Sequence, residues 1–267
     1  MKIIVCVKQV PDTSGRVAVN EDGTLNRASM ATITNHDDLN AVEAALALKD
    51  QTGAEVVVVS MGPPPAEGML REILARGADR AVLVSSPKFG GSDSYATSQI
   101  LSAAINKVGV DKETIIMCGR QAIDGDTAQV GPQIGEKLNL PQVTYVEKIT
   151  DNKNGTLTVQ RQLEDGYMTV DIPMPCVLTA IKELNNPRYM SVGGIFECYE
   201  KPYEVFTYED LEADPLIEPD TIGLKGSPTN IFKSFTPPQK GAGVMLEGDD
   251  KATCDDLASR LASKHLI

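Results

Sequence analysis

The chain has 267 residues, 42% of them hydrophobic, no tryptophan and a formal net charge of −12 at pH 7. That length can bury a sizeable core, as one large domain or one domain carrying extensions. The charge argues against nucleic acid or an anionic membrane surface as the main partner, so an anionic ligand must be held by local geometry.

The amino-terminal run Met1 to Lys8 is apolar but too short for the core of a signal peptide, and it reads as a first β-strand. No later run approaches membrane-spanning length, so no membrane insertion is expected. A long excursion, Gln9 to Thr34, follows, with a hairpin signal at Asp22-Gly23. Strand patterns then recur at Glu55 to Ser60, Arg80 to Ser85 and Thr114 to Cys118. Helical spacing lies between them, at Asp38 to Lys49, Ala66 to Ala75 and Tyr95 to Lys107. Strands that are β-branched nearly throughout imply burial on both faces. Residues 1 to about 141 therefore predict an α/β fold, a doubly wound and mostly parallel sheet.

From Val143 the pattern changes to short strands, Val143 to Ile149, Thr156 to Leu163, Tyr167 to Ile172 and Cys176 to Ile181, with turns at Asn154-Gly155 and Asp165-Gly166. These are expected as antiparallel additions to the sheet. The boundaries follow as an α/β domain over 1–213, an extended arm over 214–248 rich in Pro, Gly and Ser, and a C-terminal helix over 249–267. That helix carries Cys254, Leu257, Leu261 and Ala262 on one side, for docking on another chain or packing back on its own.

The stretch Gly119 to Pro132 follows a buried strand and precedes a helix whose Val130, Ile134 and Leu138 share a face. A helix start with unpaired N–H groups and a positive dipole end attracts phosphate. Gly119, Gly125 and Gly131 suit positive φ or a close approach of backbone to ligand. Asp126 or Thr127 is the expected cap, and Pro132 fits the first turn. The competing reading is an ordinary, well-capped strand-to-helix turn.

Other chemistry is sparse. The first strand lacks the GxGxxG that a common dehydrogenase places there, and no GxxxxGK[ST], HExxH or GxSxG occurs. The five cysteines are far apart, odd in number and without CxxC spacing, so neither metal nor a disulfide framework is expected. Free thiols without a signal peptide point to a reducing, cytoplasmic compartment. Asp37-Asp38 reads as an acid–base or metal pair, or as the acidic first turn of a helix capped by Asn35. The segments Lys8 to Thr13, Asn35 to Asp38, Met61 to Pro63 and the Gly119 loop all lie at strand ends, where α/β sheets bind ligands. No self-contained catalytic site is visible.

Val7-Lys8-Gln9-Val10-Pro11-Asp12, Ser60-Met61-Gly62-Pro63, Gly77-Ala78-Asp79-Arg80, Gly119 to Pro132 and Asn185-Asn186-Pro187-Arg188-Tyr189 occur in that order. As an ordered set spanning nearly the whole chain, they resemble the beta subunit of electron-transfer flavoprotein. The resemblance implies the Rossmann-like, adenine-nucleotide-binding version of the sheet and a heterodimer with an alpha subunit that carries its own FAD. The C-terminal helix then docks on that alpha subunit. The resemblance also implies a nucleotide cleft at positions matching Cys6, Asn35, His36, Asp37, Asp38, Met61 and the loop Gly119, Arg120, Gln121, Ala122, Ile123, Asp124, Gly125, Asp126, Thr127, Ala128, Gln129 and Val130. Within it, Asn35 and Cys6 line the adenosine side and the N–H groups of Asp126 to Gln129 hold the pyrophosphate. Thr13 matches a position facing the alpha-subunit flavin.

Gly125 to Pro132 departs from the bulkier run of members that hold structural AMP, and resembles the electron-bifurcating branch, in which the cleft holds FAD. There NADH delivers hydride to that flavin, one electron passes to ferredoxin or flavodoxin, and the other goes through the alpha-subunit FAD to an acyl-CoA dehydrogenase. Pro187 to Phe196 matches the dehydrogenase-recognition loop, with Arg188, Tyr189, Val192 and Ile195 as docking residues. Val192 stands where many members have leucine, and Gly193-Gly194 replaces a less flexible pair. Two other readings are a non-bifurcating carrier holding AMP, and a nucleotide-binding regulator that moves no electrons.

Overall fold

A computed structural model describes residues 1–12, 31–229 and 241–267. In chain order the strands are β1 (Lys2–Cys6), β2 (Gln9–Pro11), β3 (Thr32–Thr34), β4 (Glu55–Met61), β5 (Arg80–Val84), β6 (Thr114–Gly119), β7 (Gln142–Lys153), β8 (Thr156–Leu163), β9 (Gly166–Pro173), β10 (Cys176–Ala180) and β11 (Tyr203–Phe206). The α-helices are α1 (His36–Thr52), α2 (Glu67–Arg76), α3 (Ser94–Val108), α4 (Val130–Lys137), α5 (Val192–Glu197), α6 (Tyr208–Leu211) and α7 (Asp250–Ser263).

Alternation along the central strands builds two cores. Ile3, Val5, Val56 and Val58 face one side and pack with Ala41, Ala45, Leu70 and Ile73 of α1 and α2. Ile4, Val57 and Val59 face the other and pack with Ile100, Ala104 and Ile134 of α3 and α4. Helices on both faces leave no wet side, which explains why β1, β4 and β6 are apolar almost throughout.

The sheet has nine strands in the order β11-β5-β4-β1-β6-β10-β7-β8-β9. Pairing is parallel from β11 to β7. The expected antiparallel additions hold for β8 and β9 alone. β10 is instead inserted between β6 and β7, parallel to both, and all five of its residues are buried. Apolar side chains on both faces require that interior slot. Tyr145, at φ 57, and the register shifts around Val146 bend β7 away from β10. Its far end then brings Asn152 against the Met1 sulfur at the base of β1.

The segment read as an arm differs in its first part. Ile217 and Ile222 are buried in the core with α3, and Ser227 accepts the Asp93 N–H while donating to Gly223 O. Two isoleucines among many prolines and glycines suffice to pin residues 214–229 to the body. The C-terminal helix α7 is capped by Asp249, whose side chain accepts from Ala252 N–H, and none of its residues is buried. The Asp22-Gly23 hairpin signal lies outside the described residues.

Candidate nucleotide site

β1 leads through α1 to β4 on one side, whereas the chain returning from β5 through α3 enters β6 on the other. The order reverses between β1 and β6, so their carboxyl ends cannot be bridged by connections and a crevice opens there. It is a cleft of about 290 Å³. Cys6, Asp38, Met61, Gly119, Arg120, Gln121, Ala122 and the run Gly125 to Val130 line it.

Asn35, His36, Asp37, Ile123 and Asp124 do not line this cleft. Asn35 is fully buried; its carboxamide donates to Gln121 O at 2.8 Å and accepts from Ile123 N–H at 3.1 Å. It occupies the N-cap position of α1 yet makes no side-chain cap bond. His36 is exposed on the first turn. Asp124 pairs with Lys8 Nζ at 2.7 Å, and Asp37 lies 3.3 Å from Arg120 Nε. Thr13 lies outside the described residues.

Asp38 is the buried titratable group of the site. One carboxylate oxygen accepts from Lys8 N–H at 2.8 Å and the other from Gly119 N–H at 2.9 Å. Desolvation pushes its pKa up to about 7 against the pull of those bonds. Burial also raises Asp37, opposed by Arg120. Cys118 is held protonated by its hydrogen bond with Cys6 and by burial, so it is no nucleophile.

A carboxyl raised from 3.8 to about 7 stabilises the fold fully below pH 3.8, and the contribution is lost as pH rises through about 7. The stability of wild type minus that of Asp38→Asn should therefore fall between pH 4 and 7, at most by about 1.4 kcal/mol per pH unit. Urea unfolding at several pH values measures this. A difference that stays flat across the range contradicts the assignment.

The loop geometry corrects two expectations. Neither Asp126 nor Thr127 caps α4; the N-cap is Gln129, without a side-chain bond, and Asp126 instead accepts from Gln121 Nε2 at 2.8 Å. The positive φ values fall on Asp126 (51) and Ala128 (53), not on the three glycines. Gly119 is needed because a Cβ there would strike the Asp38 carboxylate, and Gly131 because a Cβ would lie 2.6 Å from Thr179 Cγ2. Gly125 faces open space.

After Gly125 and Asp126 donate back to Ala122 O, the N–H groups of Thr127, Ala128 and Gln129 find no acceptor among the described residues. The sign change of φ from Ala128 to Gln129 makes a concave set of donors, a nest for an anion. The start of α4 adds its dipole.

The opposite wall was missed from the sequence. Ser92, Asp93, Ser94, Thr97 and Leu101 at the start of α3 line the cleft, as does Lys8. Asp93 caps α3 through Ala96 N–H and also takes Thr229; burial opposes its ionisation, but these bonds outweigh it and lower its pKa. Ser94 Oγ reaches Gln129 Oε1 at 2.6 Å and joins the two walls. The signal was Gly90-Gly91-Ser92-Asp93-Ser94 between β5 and α3, a glycine-rich turn with a good cap. Among the described residues no group of acidic, histidine or cysteine side chains is arranged to hold a metal.

The electron transfer flavoprotein domain matches residues 22–208. The chain is 65% identical, over the full length of both proteins, to the acryloyl-CoA reductase electron transfer subunit gamma of Anaerotignum propionicum. It is 50% identical to the caffeyl-CoA reductase-Etf complex subunit CarD of Acetobacterium woodii and 48% identical to the electron transfer flavoprotein subunit beta of Clostridium acetobutylicum, again over full lengths.

The chain belongs to the electron transfer flavoprotein family.

In this family member the segment expected to dock a partner divides in two. Arg188 is not free: its guanidinium pairs with Glu43 at 2.9 Å and Asp50 at 2.8 Å, which raises its pKa further, and Arg76 donates to its carbonyl. It anchors the segment to α1. Tyr189, Val192 and Phe196 beyond it are 92%, 75% and 75% exposed, and Ile195 is exposed as well. Ser191 caps α5 by accepting from Gly194 N–H. Gly194 packs where a Cβ would strike Ala75 O, so close contact with α2, rather than flexibility, requires it. No helix among the described residues is long and apolar enough to cross a membrane.

Proposed function

We propose that this chain is the beta subunit of a heterodimeric electron transfer flavoprotein of the bifurcating kind, with FAD in the cleft between β1 and β6. The observation that carries the reading is the set of N–H groups at Thr127, Ala128 and Gln129 that have no acceptor among the described residues and lie on the cleft beside the start of α4. Such donors at a helix start suit an anionic group such as a phosphate. Lys8 and Arg120 also line this cleft, each paired with a carboxylate, Asp124 and Asp37.

The residues present fit the adenosine diphosphate part of FAD. Cys6, Met61, Cys118 and Leu101 offer apolar surface to the adenosine side, and the loop takes the pyrophosphate. Open space at Gly125 leaves room for the rest of the molecule toward the mouth. Bound there, the flavin supplies hydride acceptance from NADH and the division of electrons between ferredoxin or flavodoxin and the alpha-subunit FAD. The chain's own part is to bind, orient and shield the group that carries the chemistry.

The exposed residues Tyr189, Val192, Ile195 and Phe196 offer an apolar patch for an acyl-CoA dehydrogenase, and α7 offers its Leu257 and Leu261 side to the alpha subunit. Two of the named relatives are, by name, an electron transfer subunit of acryloyl-CoA reductase and a subunit of a caffeyl-CoA reductase-Etf complex, which supports an acyl-CoA enzyme as the final acceptor.

A second reading, structural AMP in the cleft of a non-bifurcating carrier, is favoured by the volume of about 290 Å³, at the low end for ligand pockets. Anaerobic assay of the purified heterodimer with its dehydrogenase separates the two. Bifurcation predicts that NADH reduces ferredoxin only when the acyl-CoA acceptor turns over with it. Acceptor reduction that proceeds unchanged without ferredoxin or flavodoxin contradicts it.

A further inference from the structure

We propose that Asn35 and Asp38, in the first turn of α1, are positioning residues that hold the loop from Gly119 onward in its binding shape before any nucleotide arrives. The proposal rests on the reading of that loop as a phosphate grip.

The regular pairing of β1 with β6 ends at Val5 and Met117, just where the cleft begins. Past that point the two strand ends are joined through α1. Asp38 takes the N–H of Lys8 from one side and that of Gly119 from the other, and Asn35 N–H donates to Lys8 O at 2.9 Å. One carboxylate therefore sets the spacing between strands that no longer bond to each other.

Asn35 carries the constraint into the loop. An N-cap asparagine ordinarily turns its side chain back to the helix's own second or third N–H. Here the carboxamide goes to Gln121 and Ile123, 86 and 88 residues away in sequence, and Asn35 is fully buried. Burying an amide is costly unless its donor and acceptor are both used, and both are. The flanking ion pairs Lys8 with Asp124 and Arg120 with Asp37 add links across the same seam. Residues 119–124 are thus fixed from below, whereas the N–H groups of Thr127 to Gln129 have no acceptor among the described residues. A loop ordered in advance binds with less loss of entropy than one that must first be gathered.

The test is hydrogen exchange on the full-length chain in its heterodimer, loaded and stripped of nucleotide, read by peptides covering 119–129 and by control peptides from β4 and β5. In the stripped protein Asn35→Ala should speed exchange in the loop at least tenfold, leave the controls unchanged, and weaken FAD binding at least tenfold. Unchanged loop exchange overturns the proposal, because a residue that only touched the nucleotide would behave so. Faster exchange in the control strands also overturns it, since the role would then be general to the fold. If Asn35→Ala does not fold, Asn35→Asp keeps an acceptor for Ile123 N–H and loses the donor to Gln121, and a loop-confined increase is again required. A loosened loop with undiminished FAD affinity leaves the positioning role standing and counts against the phosphate-grip reading instead.

Discussion

Gly119→Ala should leave the heterodimer largely without nucleotide in the beta-subunit cleft and lower its thermal midpoint. A Cβ at this position would meet the Asp38 carboxylate and lie 2.7 Å from both the Asp37 carbonyl carbon and the Asp38 nitrogen. Two of these are backbone atoms of a helix start and cannot swing aside as the end of a long side chain can. Overpacking of this kind costs about 1–3 kcal/mol. Displacing a buried carboxylate from its N–H donor adds about 1.5–3 kcal/mol. Together these shift the midpoint by roughly 10 °C for a unit of this size. The measurement is differential scanning calorimetry with nucleotide quantified by acid extraction. Gly125→Ala is the matched control: its Cβ meets nothing, and stability should stay within about 0.5 kcal/mol. Equal behaviour of the two variants would refute the role given to the Gly119–Asp38 contact.

Paired changes on α5, Val192→Asp with Phe196→Asp, should slow electron delivery to the acyl-CoA dehydrogenase about thirtyfold, the equivalent of about 2 kcal/mol, the size of one interface hot spot. Both side chains are 75% exposed, so the fold gains nothing from them that a carboxylate would remove. The anchors of the segment, Arg188 on Glu43 and Gly194 on α2, remain in place. NADH oxidation with a small dye should therefore be unchanged. Equal losses in the dye and dehydrogenase assays would show misfolding instead of lost docking. Arg188→Ala is expected to act differently, loosening the whole segment and lowering stability, because its guanidinium is committed to α1.

The central sheet was legible because its strands carry the mark of two-sided burial, and the helices between them keep a clear apolar spacing. The strand ends therefore mark the cleft in the sequence itself. What the sequence hid was non-local. β10 is apolar on both faces like any interior strand, but nothing local says that it slips between β6 and β7. Asn35 before an acidic turn reads as a cap, and the competing partners, Gln121 O and Ile123 N–H, become neighbours only through the fold. The three loop glycines drew attention to positive φ, whereas two of them are explained by what crowds against them and the strained values fall on Asp126 and Ala128. Ile217 and Ile222 were masked by the prolines and glycines around them.

On the proposed function, the same loop grips the phosphates of the nucleotide in the cleft. Its N–H groups without an acceptor among the described residues would suit the phosphates of AMP and FAD alike, and the open space at Gly125 is what favours the larger molecule. The most direct measurement is the nucleotide content of the purified heterodimer, extracted with acid and resolved by chromatography. Two FAD per heterodimer and no AMP is the result predicted here; one FAD with one AMP would contradict it.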